Sequence, residues 1–146
     1  MKIKLSLIFT GFLLLVQAST ACDCKEYSLQ QIIPNTEVIV AGKFISVEKN
    51  AWPLLPGQQE SERLFLGGTI VITEVLQGQG FEVGDSISVL PDASNCASVY
   101  QNKREYLFFA SRERTGIMAD ACSFTHKLID RRQDQTYQEM IRIVTQ

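Results

Sequence analysis

Histidine is the scarcest chemical resource in this sequence: His126 is the only one in 146 residues. A single imidazole cannot build the two- or three-histidine zinc sites of metal-dependent hydrolases, nor a Cys/His finger. An excess of positive charge is missing as well. Fourteen Lys+Arg against sixteen Asp+Glu leave a formal net charge of −2, which argues against an electrostatic footprint for nucleic acid. Beyond residue 16 there is no long apolar run, so no transmembrane segment is expected. Internal repeats and low-complexity tracts are lacking too. What is there, 45% apolar and 21% charged residues, suits one soluble domain and leaves no room for a second of full size.

The first residues have a different character. Met1-Lys2-Ile3-Lys4 is a short basic stretch, and residues 5–16 (LSLIFTGFLLLV) are almost continuously apolar. That run falls short of the roughly 20 residues a membrane-spanning helix needs and suits the apolar region of a signal peptide. Ser19 and Ala21 then stand at −3 and −1 relative to a cut before Cys22. We therefore expect 1–21 to be a signal peptide and 22–146 the exported domain, secreted or periplasmic. Processing would remove Lys2 and Lys4 and no acidic residue, moving the net charge from −2 to −4. The new terminus has two possible fates. Ordinary cleavage frees a protein beginning Cys22-Asp23-Cys24. Alternatively, Ser19-Thr20-Ala21-Cys22 is read as a lipobox, which would anchor Cys22 to a membrane, although Ser19 stands where a leucine is usual.

The expected domain is rich in strand signals. Residues 28–33 suit one helical turn, with Ser28 as N-cap and Pro34 as terminator. Residues 37–47 (EVIVAGKFISV) predict a strand kinked at Gly42, and 64–76 (LFLGGTIVITEVL) a second bent at Gly67-Gly68. Residues 86–90 alternate polar and apolar, the period of a half-buried strand. Residues 105–110 (EYLFFA) predict an aromatic strand, with 116–119 pairing to it after a short turn. Between them, 50–62, 77–84 and 91–102 carry the loop and turn residues. Tyr137, Met140, Ile141 and Val144 lie on one face of a helix starting near Asp134. Short strands joined by turns suggest a small barrel or sandwich, closed off by this helix.

Cys22, Cys24, Cys96 and Cys122 form an even set, as exported disulfide frameworks prefer. Cys22 and Cys24 are too close in sequence to pair without strain. Two connectivities remain, and both tie the N-terminus to two remote points. Each closes loops of about 75 to 100 residues, and one such loop is worth about 4–5 kcal/mol in the chain-entropy model. The terminus should then be bolted down rather than frayed.

Cys22-Asp23-Cys24 after a signal peptide, followed by residues 37–44 (EVIVAGKF), resembles the start of the netrin-like module of tissue inhibitors of metalloproteinases. The similarity extends through residues 71–78 (VITEVLQG), the Val83-Gly84-Asp85 turn, Cys96, residues 105–110 and Cys122-Ser123. It spans nearly all of 22–146 and corresponds to the N-terminal domain of those inhibitors. It implies a five-stranded OB-type (netrin-like) barrel with bridges Cys22–Cys96 and Cys24–Cys122. It further implies that the α-amine and carbonyl of Cys22 chelate the catalytic zinc of a metalloprotease. Asp23 would enter the specificity pocket, and Asp23, Cys24 and the loop with Ser94, Asn95 and Ala97 would form the inhibitory ridge. The zinc belongs to the partner, and no cofactor of the chain's own is expected. This sequence has fewer cysteines than those inhibitors, and Asp23 stands where they have a small neutral residue.

Other chemistry-bearing residues point less far. His126 suits a surface or internally satisfied histidine, since a Cys–His nucleophile needs a free thiol and Cys122 is better explained as bridged. Glu60, Glu62, Asp85 and Asp92 lie in polar loops, where solvated charge is the default and a glycosidase-type pair the alternative. Gly78-x-Gly80 lacks the helix and further glycines of a phosphate loop. Arg112-Glu113-Arg114 and Arg131-Arg132 are expected to be solvated faces. Trp52, in a proline-containing loop, suits either a partner anchor or a ring folded back on its own domain. The chain thus reads as a non-catalytic domain, either an inhibitor of a zinc metalloprotease or a non-inhibitory envelope binding module.

Overall fold

The structure, a computed structural model, describes residues 24–48, 54, 56–91, 98–119 and 122–146. A short helix α1 (Leu29–Ile32) opens it and continues as a 3-10 turn over Ile33–Asn35. The strands are β1 (Val38–Val47), β2 (Leu64–Phe65), β3 (Gly68–Gln77), β4 (Ser86–Leu90), β5 (Tyr100–Gln101), β6 (Glu105–Glu113), β7 (Gly116–Met118) and β8 (Thr125–Leu128). A second helix, α2 (Gln135–Val144), follows β8. Among the described residues no helix is long and apolar enough to cross a membrane.

Five of these strands close on themselves. The order runs β1–β3–β4–β7–β6, and β6 returns to pair with β1. All contacts around the ring are antiparallel except β4 with β7, which is parallel. Closure leaves this ring without an open edge. β1 makes closure possible by pairing along both sides, with β3 over most of its length and with β6 through Val38 to Lys43. Its register slips at Ile39/Val40, Ala41/Gly42 and Phe44/Ser46, and such bulges bend a strand. At the middle slip, a side chain on Gly42 would put its Cβ 2.5 Å from Ile70 Cδ1. Gly116 serves the parallel contact in the same way, since a Cβ there would lie 2.0 Å from the Ser88 carbonyl oxygen.

Two apolar layers follow from the strand alternation. Val38, Val40 and Phe44 of β1 face the barrel interior with Tyr106, Phe108 and Ala110 of β6. Phe44, Tyr100, Tyr106 and Phe108 form an aromatic cluster there, with ring centroids 5.1 to 6.1 Å apart. The intervening residues Ile39, Ala41, Leu107 and Phe109 face outwards and are covered by Ile33 beside α1 and by Tyr137 and Met140 of α2. The centre of the β1–β6 pair is therefore buried on both faces, which explains the unbroken apolar runs VIVA and YLFFA.

The expected barrel and C-terminal helix are present. Asp134 caps α2, its Oδ1 accepting the Tyr137 N–H at 2.9 Å. Three local expectations need correction. Pro34 does not end the first helical turn, because a proline fits the start of the following 3-10 segment, where its missing N–H costs nothing. Residues 64–76 are not one bent strand: β2 pairs with β5 in a separate two-stranded ribbon, and β3 starts afresh at Gly68. β8 was not anticipated at all; it pairs antiparallel with the first half of β6.

Candidate functional site

Of the cysteines, Cys24 and Cys122 are described, and they are joined by a disulfide across 98 residues with their Cα atoms 5.2 Å apart. This selects between the two connectivities that the sequence left open, in the sense the resemblance implied. Cys22, Asp23, Ser94, Asn95, Cys96 and Ala97 lie outside the described residues, and so does the expected Cys22–Cys96 bridge. Trp52 and Asp92 lie outside them as well.

Cys122 of the bridge lines a groove of about 630 Å³. Phe109, Ala110 and Ser111 of β6 form its floor, with Gln31 and Ile32 of α1 on one side and Cys122, Ser123 and Phe124 on the other. The Phe124 ring packs edge-on against Phe109 at 5.1 Å. Tyr27, half exposed, also lines it, and the Lys25 ammonium lies 5.4 Å from its ring.

The densest electrostatics lie elsewhere, on the outer face between β3, β6 and α2. Arg131 Nη1 donates to Glu74 Oε2 at 2.5 Å, and its Nη2 donates to Thr73 Oγ1 at 2.6 Å and to Glu105 Oε1. The Tyr137 hydroxyl donates to Glu74 Oε2 at 2.6 Å, and its ring lies 5.5 Å from the guanidinium. Burial alone would raise the Glu105 carboxyl. Hydrogen bonds from Arg131 and Thr73, with the charges of Arg131 and Lys43, outweigh it and hold the group below its ordinary range. Arg131 is raised for the reciprocal reason: Glu105 and Glu74 overcome its desolvation. Arg131 is therefore no solvated surface charge, whereas Arg132 is exposed as expected.

His126 of β8 meets Asp134 at 2.7 Å, and Phe124 stacks on its ring at 6.0 Å. Burial would raise Asp134, but the Tyr137 N–H and His126 together bring it below the ordinary carboxylate range. The histidine is internally satisfied, as the sequence suggested. Arg112 is a clamp rather than a free charge: it stacks on Phe81 at 4.5 Å, donates to the Gln79 carbonyl, and its own N–H is accepted by Glu37 at 3.0 Å. Among the loop carboxylates, exposed Glu60 pairs with half-buried Arg63 at 2.6 Å, and Asp85 accepts the Glu82 N–H at 2.8 Å.

These arrangements bind and fasten. The half-buried carboxylates Glu74 and Glu105 are engaged by Arg131, neither described cysteine is free, and the histidine is committed to a helix cap. Among the described residues no three His, Cys, Asp or Glu side chains gather to hold a metal ion. The Arg131 cluster escaped sequence reading because its partners are distant in the chain. Its one sequence signal is Thr73-Glu74, a polar pair inside an otherwise apolar strand. No protein-family model matches the chain, and no curated protein matches it.

Proposed function

We propose that residues 22–146 form an exported, non-catalytic OB-type (netrin-like) domain that inhibits a zinc metalloprotease through its N-terminus. The observation that carries this reading is the Cys24–Cys122 disulfide, which fixes the chain to the barrel two residues after the proposed first residue. The closed strand order, with β4 and β7 as its one parallel pair, supports the fold assignment. In this reading Cys22 offers its α-amine and carbonyl to the partner's zinc. A catalytic zinc keeps one position open for water, and an amine with its own carbonyl can fill it as a chelate. The amine, with an ordinary pKa of about 7.7–8.0, gives up its proton to a metal at little cost near neutral pH. A terminus held before docking loses less freedom on binding. Asp23 and Cys24, with Ser94, Asn95 and Ala97, form the ridge that meets the protease cleft.

The test has two stages. Intact mass of the exported protein distinguishes a free Cys22 from a lipidated one; an acylated nitrogen has no lone pair to give and leaves an envelope-anchored module. The free form is then assayed against a panel of zinc proteases beside a version carrying one extra N-terminal alanine. Inhibition by the native terminus and loss with the added residue support chelation. Equal activity of the two, or none from either, rejects it.

A further inference from the structure

β6 and β8 pair so that Tyr106 stands opposite Lys127 and Phe108 opposite Thr125. Alternation sends these four to the barrel side, while Leu107 and Leu128 join the layer under α2. The β2–β5 ribbon stands over the barrel side, leaving a seam of about 360 Å³. Its lining includes Leu64 and Val99 from the ribbon region, Gln101 of β5, and Tyr106, Thr125 and Lys127.

Three polar groups of this seam, on Lys127, Tyr106 and Thr125, are short of acceptors. Lys127 Nζ donates to Gln101 Oε1 at 2.6 Å, and an ammonium has two further hydrogens to give. The Tyr106 hydroxyl accepts the Gln101 N–H at 2.8 Å, so its own proton is left for another partner. Burial pushes that phenol above its ordinary range, so it stays a donor at neutral pH. Thr125 Oγ1 is enclosed and has no hydrogen-bond partner. Among the described residues no carboxylate lines the seam, and Lys127 forms no ion pair. A partly buried cation with one neutral acceptor and an enclosed hydroxyl with none are both unfavourable unless something supplies the missing acceptor.

We infer that the seam between β8 and the β2–β5 ribbon binds a carboxylate group carried on a short apolar body. One carboxylate oxygen takes the Lys127 ammonium, and the other takes the Tyr106 hydroxyl and, once the Thr125 side chain turns out of its enclosed position, the Thr125 hydroxyl. Leu64 and Val99 receive the apolar part. A single ammonium with two hydroxyls matches a monoanion; it has neither the guanidinium fork nor the bank of backbone N–H groups that a phosphate dianion favours. The inference stands apart from the N-terminal amine and does not depend on it. Two sources carry such a carboxylate, a free small acid and the C-terminus of a peptide, and the two are separable by experiment.

The purified protein is titrated with 3-phenylpropionate and with 3-phenylpropionamide, following backbone amide resonances by NMR. The acid should produce saturable shifts at Leu64, Val99, Gln101, Thr125 and Lys127, and the neutral amide should bind at least about tenfold more weakly. Lys127→Met should weaken the acid by about tenfold or more and Thr125→Val by severalfold, while Lys103→Met leaves it unchanged. A tripeptide ending in phenylalanine, with free or amidated C-terminus, identifies the source. Tighter binding of the free-terminus peptide than of 3-phenylpropionate assigns a chain end, and the reverse assigns a small acid. Should Lys127→Met fail to fold, Lys127→Gln replaces it. Equal binding of acid and amide, unchanged affinity without the lysine, or no shift at these amides overturns the inference.

Discussion

Arg131 and Lys127 lie four residues apart, yet their surroundings are opposite. Arg131, in the turn after β8, lies against Glu74, Glu105, Thr73 and Tyr137, so its charge is met by two carboxylates and its donors by several oxygens. Lys127, pointing to the other side of the β6–β8 pair, has one neutral amide oxygen. A cation whose two counter-ions come from two separate strands is a fastener, because removing it strands the charges around it. A cation left with a neutral partner beside an unpartnered hydroxyl is held ready for something else. Burial alone does not separate these roles, since both side chains are only partly covered. The count of acceptors does.

The comparison breaks most visibly at Arg131. Arg131→Met should leave Glu74 and Glu105 unpaired against β3 and β6 and destabilise the protein by about 2–3 kcal/mol. That is below the cost at a fully buried pair, because solvent still reaches these groups. Urea unfolding at pH 7 measures it, and a loss below about 0.5 kcal/mol would show that the cluster fastens nothing.

Acid should act on the same contacts. Glu105 and Asp134 are both held below the ordinary carboxylate range. Carboxylates depressed in the folded state contribute fully above their unfolded values of about 4 and lose that contribution as pH falls through the lower folded values. Unfolding free energy should therefore fall as the pH drops below roughly 4, measured by urea unfolding across that range. In Arg131→Met the drop should be shallower, because the part due to Glu105 is already gone.

Asp134→Ala removes the cap of α2 and the partner of His126 in one step. It should cost about 1 kcal/mol, with faster hydrogen exchange confined to α2 while the amides of β1 and β6 keep their protection. Lys127→Met should come last, within about 0.5 kcal/mol of the parent in the same unfolding assay. A cost matching that of Arg131→Met would erase the distinction between the two cations.

Legibility in the sequence followed the same division. β1 and β6 announced themselves because burial on both faces leaves long β-branched and aromatic runs. The α2 face was readable from Tyr137, Met140, Ile141 and Val144, with Asp134 as a local stop sign. β8 was not, because Thr125 and Lys127 look into a polar seam while His126 turns to a helix cap, so no apolar alternation survives. Arg131 was opaque for another reason: its carboxylates are 57 and 26 residues away, and nothing in Asp130-Arg131-Arg132 says which arginine will find them. At the N-terminal site the spacing of four cysteines narrowed the pairing to two schemes, and proximity of Cys24 to Cys122 is a property of the folded barrel that spacing alone does not contain.

The cross-link from Cys24 to Cys122 also makes the molecule topologically forgiving. Any single scission of the backbone between those two positions leaves both fragments on one covalent body. A protease attacking an exposed loop would then produce a nicked species that keeps its full mass until a reductant is added, and damage along most of the barrel's length would not set the N-terminal segment adrift.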